Sequence, residues 1–292
     1  MKKPNICKQI GQDVINSRGW FSANRFLFLR RFSQLSILFL FLLGPWFDSW
    51  VVKGNLTSSL TLDILPLTDP FVLLQSFFAG HSLAKDALIG ALIVVLFYFA
   101  VGGRVFCSWV CPVNMVTDAA SWLRCKLNIK TKSGGVSNKT RYWLLAMSLI
   151  LAYLTGTIVW ELVNPVSILH RGIIFGMSFG WGLIALVFLF DLFVVKNGWC
   201  SRLCPVGAFY GLIGEGSLLR INADKRDECT DCLECFAVCP ESQIINPALK
   251  GEGSSIVLDS NCTNCGRCID ICEPKVFSYS SRFKKNTRPS NK

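Results

Sequence analysis

The chain has 292 residues, a formal net charge of +11, and hydrophobic residues at 51% of positions, including 22 Phe and 9 Trp. This length allows about two domains. A basic total can mark a nucleic-acid binder, but here Lys and Arg flank long apolar runs, so no nucleic-acid partner is expected. The first two thirds are apolar and the last third polar, which predicts a membrane part followed by a small soluble module.

In chain order, residues 1–31 carry Lys2, Lys3, Lys8, Arg18, Arg25, Arg30 and Arg31 against Asp13 alone. The apolar run Phe32–Val52 follows. It ends in Trp and Asp without a small-residue cleavage site, so it reads as a first transmembrane helix, not a signal peptide. Residues 53–86 are mixed. Within them, Leu62–Phe71 is interrupted by Pro66 and Pro70 and reads as an amphipathic segment at the interface. Ala87–Gly103 is uncharged and forms the second helix, near the lower length limit for a span. Tyr142–Trp160 is the third. Gly172–Phe190 is the fourth, extended by Asp191–Val195.

Seven basic residues lie in the N-terminal segment and seven in residues 104–141. The 53–86 and 164–171 loops hold two and one. Lys and Arg accumulate on the cytoplasmic side. Four helices then place both termini in the cytoplasm of a bacterial inner-membrane, multi-pass protein. The expected fold is an α-helical integral membrane protein of four transmembrane helices with a C-terminal cytoplasmic α+β ferredoxin-like module. Its divisions are a 1–31 cytoplasmic segment, a 32–199 transmembrane domain and a 200–292 soluble domain.

The soluble part holds the strongest motif. Residues 229–240 read C-T-D-C-L-E-C-F-A-V-C-P, and residues 262–274 read C-T-N-C-G-R-C-I-D-I-C-E-P. This doubled C-x2-C-x2-C-x3-C run is the bacterial-ferredoxin pattern, in which each half gives three thiolates to one cubane and its fourth Cys to the other. One 4Fe–4S cluster would take Cys229, Cys232, Cys235 and Cys272. The second would take Cys262, Cys265, Cys268 and Cys239. Zinc knuckles do not explain a third and fourth Cys at the same offsets twice. Disulfides need an oxidising compartment, against the charge pattern.

A second pattern lies at the ends of the even-numbered helices. Cys107-Ser-Trp-Val-Cys111-Pro112-Val113 and Cys200-Ser-Arg-Leu-Cys204-Pro205-Val206 are both C-S-x-x-C-P-V. On a continuing helix, Cys107 and Cys111 would lie one turn apart on one face, as would Cys200 and Cys204. The four thiols could converge on a redox or docking site at the cytoplasmic rim, or simply be small residues in helix packing. Candidate proton acceptors near the helix ends and loops are Asp69, His81, Glu161, His170 and Asp191.

With Gly44-Pro45-Trp46-Phe47, Gly54-Asn55, Pro66-Leu67-Thr68-Asp69-Pro70, Thr155-Gly156-Thr157, Asn164-Pro165-Val166-Ser167, Cys204-Pro205-Val206-Gly207-Ala208 and both cysteine patterns, the chain resembles the NapH family. These are membrane quinol dehydrogenase subunits of periplasmic nitrate reductase systems. The resemblance implies electron transfer from the quinone pool, with quinol as donor. It also implies a periplasmic ferredoxin-type subunit and a membrane-anchored multihaem cytochrome as partners. No C-x-x-C-H haem motif is present, so the chain cannot complete nitrate reduction alone. A scaffold or maturation role and a membrane redox sensor remain open alternatives.

Overall fold

The computed structural model describes residues 10–129, 136–176, 180–251 and 253–284. A short helix α1 (Gln12–Arg18) precedes α2 (Arg25–Phe47). With the turn before it, α2 forms a continuous helical stretch Ser22–Phe47, which among the described residues is the one helix long and apolar enough to cross a membrane. It starts and stops earlier than the apolar run Phe32–Val52 suggests. Asp48 takes φ 55° and its amide closes on the carbonyls of Gly44 and Leu43, and Val52 begins a strand.

The segment after α2 corrects the expected interfacial segment. Strands β1 (Val52–Gly54), β2 (Ser58–Thr61) and β3 (Leu65–Thr68) form an antiparallel sheet in the order β1-β2-β3. Asn55 Oδ1 accepts from the amides of Thr57 and Ser58 at 3.0 and 2.9 Å, an Asx turn that closes the first hairpin. The two prolines fit where they cost little. Pro66 lies in the edge strand β3. Pro70 opens α3 (Pro70–Phe78), and Asp69 caps it by accepting from the Phe71 amide at 2.9 Å. Helix α4 (Lys85–Val101) then runs alongside β3. A Cβ at Gly90 would sit 2.9 Å from the Pro66 carbonyl oxygen, so glycine permits this close approach.

A single turn of π-helix, Phe106–Val110, leads to α5 (Val113–Lys126). Helix α6 (Thr140–Thr155) is shorter than the third apolar run, because Gly156 at φ 65° closes it; α7 (Val159–Val163) follows separately. The fourth run also divides. Gly172–Phe175 belongs to α8 (Pro165–Phe175), capped by Asn164, whose Oδ1 accepts from the Val166 amide at 3.1 Å. Gly176 at φ 89° ends α8, and α9 (Gly180–Leu189) continues through a π turn at Phe190–Val194. A third π turn, Trp199–Leu203, leads to α10 (Pro205–Gly214).

These elements form an internal repeat richer than the cysteine motif alone. α2, α3, α4, a π turn and α5 correspond in order to α6, α8, α9, a π turn and α10. α2 packs on the first cysteine-bearing turn as α6 packs on the second. The contacts also cross: α3 meets α6 while α8 meets α2, and α4 meets α10 while α9 meets α5. Arg30 Nε donates to the Ser108 carbonyl at 3.0 Å, and Arg141 donates to the equivalent Ser201 carbonyl at 3.1 Å. The surface of this body is apolar, with Leu92 and Leu96 each 58% exposed, Trp143 74% and Leu186 61%. Its interior holds buried Arg30, Gln34, Arg104 and Arg141.

The polar third is a second body with its own core. Strand β4 (Leu219–Asn222) pairs antiparallel with β5 (Ser278–Ser281), with short helices α11 (Glu234–Val238), α12 (Ile245–Lys250) and α13 (Arg267–Asp270) between them. Ile221, Ile245, Val257, Ile271, Val276 and Phe277 pack together inside it. The N-terminal segment wraps this module. The Gly11 amide donates to Glu234 at 2.8 Å. The Asp270 carboxylate accepts from the Phe26 amide at 3.1 Å, so a residue of the module caps α2 from outside its own segment. Gly266 sits at φ 72°, and a Cβ there would lie 2.5 Å from the Phe26 ring. Gly266→Val should therefore destabilise the module by about 2 kcal/mol or more and free the N-terminal segment, seen as a lower Tm and faster protease cleavage before residue 25.

Candidate functional site

Each half of the doubled run folds through the same backbone sequence. Asp231 and Leu233 take φ 55° and 62°; Asn264 and Gly266, at the same offsets, take 46° and 72°. Left-handed residues alternating with right-handed ones turn successive amides to one side, the geometry of an anion-binding nest. Val276 N donates to Cys272 Sγ at 3.4 Å, and the amides of Phe236, Glu241 and Asn264 lie near the sulfurs of Cys235, Cys239 and Cys262. Cys239 precedes Pro240 and is extended at ψ 131°, as a residue before proline must be. The chain turns away from its own run there.

The module contains two cavities. One is lined by Cys229, Cys232, Cys235 and Cys272. The other is lined by Cys239, Cys262, Cys265 and Cys268. Each takes three cysteines from one run and the fourth from the other. All eight are free thiols, which removes the disulfide alternative. Among the described residues, no three Cys, His, Asp or Glu side chains are close enough to share one metal ion. Thiols spread around a cavity suit the corners of a polynuclear cluster rather than a tetrahedral zinc, which draws its ligands around one centre. Burial pushes the Cys235 thiol up to about 12 and Cys262 up to about 11; bonding to iron would offset that cost of the thiolate.

The C-S-x-x-C-P segments do not continue as α-helix, which corrects the one-turn, one-face expectation. The Cys111 amide closes on the Phe106 carbonyl at 3.0 Å, and the Cys204 amide on the Trp199 carbonyl at 2.9 Å. Cys111 and Cys204 are extended, with ψ 119° and 113°. Pro112 and Pro205 impose this on the residue before them. The four thiols are nonetheless brought near one another: Cys107 and Cys111 sit in one buried cluster against which Cys204 packs, and Cys200 Sγ lies 3.9 Å from Thr117 Oγ1 on α5, the helix that follows Cys111.

A buried ion network, not evident from the motifs, joins the two cysteine patterns. Arg104 and Arg141 are each 1% exposed, and both donate to Glu241 Oε1, at 3.0 and 3.1 Å. Arg104 also donates to the carbonyls of Cys200 and Asn261, both at 2.9 Å. Glu241 lies two residues past Cys239, and both Glu241 and Asn261 line the second cavity. The sequence signal was Arg104 directly before the first C-S-x-x-C-P, a charge at the end of an apolar helix.

The candidate proton acceptors scatter. Asp69 accepts from the Tyr210 hydroxyl at 3.3 Å. Tyr210 stacks on Phe106 at 4.9 Å and meets Tyr98 edge-on at 5.1 Å. Asp191 accepts from the Trp199 amide at 2.8 Å, fixing the second cysteine-bearing turn. Glu161 accepts from Asn164 at 3.2 Å. His170 is buried against Phe41, with neither ring nitrogen partnered. His81 is exposed.

A pseudo-symmetric α+β module with two cysteine-lined cavities defines a ferredoxin-type iron–sulfur electron-transfer protein. The comparisons agree. The chain matches a 4Fe-4S binding domain family over residues 83–130 and 174–223, and a 4Fe-4S dicluster domain family over 218–273. It is 54% identical over 267 residues to the methylamine utilization ferredoxin-type protein MauN of Paracoccus denitrificans, covering 91% of this chain and 94% of that one. It is 48% identical over 282 residues to the ferredoxin-type protein NapH of Haemophilus influenzae, covering 96% and 98%. It is 42% identical over 285 residues to NapH of Escherichia coli, covering 97% and 99%. The chain belongs to this family of NapH and MauN ferredoxin-type proteins. No solved structure matches it.

Glu241→Ala would leave two buried guanidinium groups without their carboxylate. We expect a loss of about 3 kcal/mol or more, read as a lower denaturation midpoint of the detergent-solubilised protein.

Proposed function

We propose that this chain is the membrane iron–sulfur subunit that oxidises quinol and passes electrons towards a periplasmic nitrate reductase. Cys229, Cys232, Cys235 and Cys272 hold one 4Fe–4S cluster; Cys262, Cys265, Cys268 and Cys239 hold the other. The observation that carries this reading is the sorting of the eight cysteines into two cavities with the fourth ligand exchanged. When bound, the clusters accept electrons one at a time, which matches stepwise quinol oxidation.

The membrane assignment has physical support. An outward surface of Leu, Phe and Trp over a polar interior suits lipid better than water. α2, α4, α6 and α9 cross, with residues 32–199 as the core of the transmembrane part. The N-terminal segment touches the C-terminal module, so an even number of crossings separates them. The basic N-terminal segment and 104–141 loop put both on the cytoplasmic side. Whereas α9 is extended by its π turn to Val194, α3 and α8, of 9 and 11 residues, are too short to cross. They dip in from the outer side with Asp69 and Asn164 leading. Partners are the quinone pool, a periplasmic ferredoxin-type subunit and a membrane-anchored multihaem cytochrome.

A second electron-accepting system is favoured by one specific finding, the 54% identity to a methylamine utilization protein. Deleting the gene separates the two: impaired periplasmic nitrate reduction assigns the first, and impaired growth on methylamine the second.

Electron paramagnetic resonance on anaerobically purified protein should show cubane signals appearing when a quinol is added. Clusters reduced only by dithionite would instead favour a scaffold role. Cys239→Ser should remove the signal of the cluster held by Cys262, Cys265 and Cys268, and spare the other. Loss of both, or of the Cys229 cluster alone, would overturn the ligand exchange.

A further inference from the structure

We infer that Cys107, Cys111, Cys200 and Cys204 hold a third iron–sulfur cluster, shared between the two repeats of the helical body. The inference builds on the two-cluster reading of the module but involves none of its ligands. Each segment matched by the 4Fe-4S binding domain family brings one C-x3-C-P pair. A cubane needs four thiolates, so two such segments complete one site between them. The structure brings these four thiols near one another from the two repeats. All are free. Cys107 and Cys111 are each only 8% exposed.

The surroundings suit an anion. α5 and α10 begin immediately after Cys111 and Cys204. The amides of Val113 and Asn114 lie near the Cys111 sulfur, and those of Val206 and Gly207 near the Cys204 sulfur. Two helix N-termini, one from each repeat, thus meet the site. Arg104 lies beside both Cys107 and Cys200, and donates to the Cys200 carbonyl at 2.9 Å. Arg104 and Arg141 share the single carboxylate of Glu241, which leaves one positive charge over. The Nε of each is buried without a partner. A cluster of four thiolates is anionic and would supply the missing counter-charge. The four thiols are also not gathered tightly enough for a single ion.

The site is joined to the second cavity of the module. Arg104 bridges the Cys200 carbonyl to Glu241 and Asn261. Ser108 Oγ donates to the Thr263 carbonyl at 2.7 Å, and Trp109 Nε1 to the Asn264 carbonyl at 3.1 Å. These carbonyls flank Cys262 and Cys265. A cluster here would relay one electron at a time between the helical body and the module, with no bond made or broken. It extends the chain of carriers out of the soluble module and into the body that faces lipid.

The test is to count iron and acid-labile sulfide in the full-length protein purified without oxygen. We expect about twelve of each per chain, against about eight if only the module is loaded. The double variant Cys107→Ser/Cys204→Ser should fall to about eight while keeping both module signals. Cys239→Ser, which strikes the module instead, should keep the third signal. About eight irons in the unaltered chain with both module clusters present would overturn the inference, as would an unchanged count in the double variant. If that variant does not fold, the count on the unaltered chain decides. A protein with about four irons, all lost on changing Cys107 and Cys204, would uphold the third site and overturn the two-cluster module.

Discussion

Two guanidinium groups on one buried carboxylate join this molecule into a single unit. Taking three charges out of water costs several kcal/mol each before pairing and hydrogen bonding offset it. The offset here depends on parts from three places. Glu241 comes from the module, Arg104 from the end of α4 and Arg141 from the start of α6. The carbonyls of Cys200, Ser201 and Asn261 complete the shell. None of these partners can leave without stranding a charge. The helical body and the iron–sulfur module are therefore held in one relative position. Electron transfer needs such fixity, because tunnelling rates fall steeply with distance.

Proline sets the local shape at three cysteines. Cys111, Cys204 and Cys239 each precede Pro and each take extended backbone. In the module it turns the chain directly after Cys239, which lines the cavity of the other run. In the helical body it ends a π turn and begins a new helix whose amides face the sulfur just passed. One small steric rule, the clash of the proline ring with the residue before it, serves both cysteine systems.

Much of this was legible from spacing. The doubled C-x2-C-x2-C-x3-C run specified a local backbone path, so it could be read residue by residue, including the exchange of fourth cysteines between cavities. The apolar runs located α4 to within two residues and α2 only to within seven. The misreadings fall where helix ends depend on single residues. Gly156 and Gly176 cut the third and fourth runs, while composition alone showed them as continuous. The β1-β2-β3 hairpins were missed because Pro66 and Pro70 were counted as breaks, when edge strands and helix starts both admit proline. The Arg104–Glu241–Arg141 network was illegible because its members lie 137 and 100 residues apart. Only the fold sets such a pairing.

The crossed contacts of the repeat carry a consequence for ancestry. α4 packs on α10 and α9 on α5, so each repeat buries part of the other. A single repeat, expressed alone, would leave its partner-facing helices bare and could bury them only against a second copy. The fused chain is thus a two-fold dimer written into one sequence. The halves differ at their edges: the first carries the β1-β2-β3 sheet before its short helix, and in the second Arg141, the counterpart of Arg30, reaches Glu241 of the module.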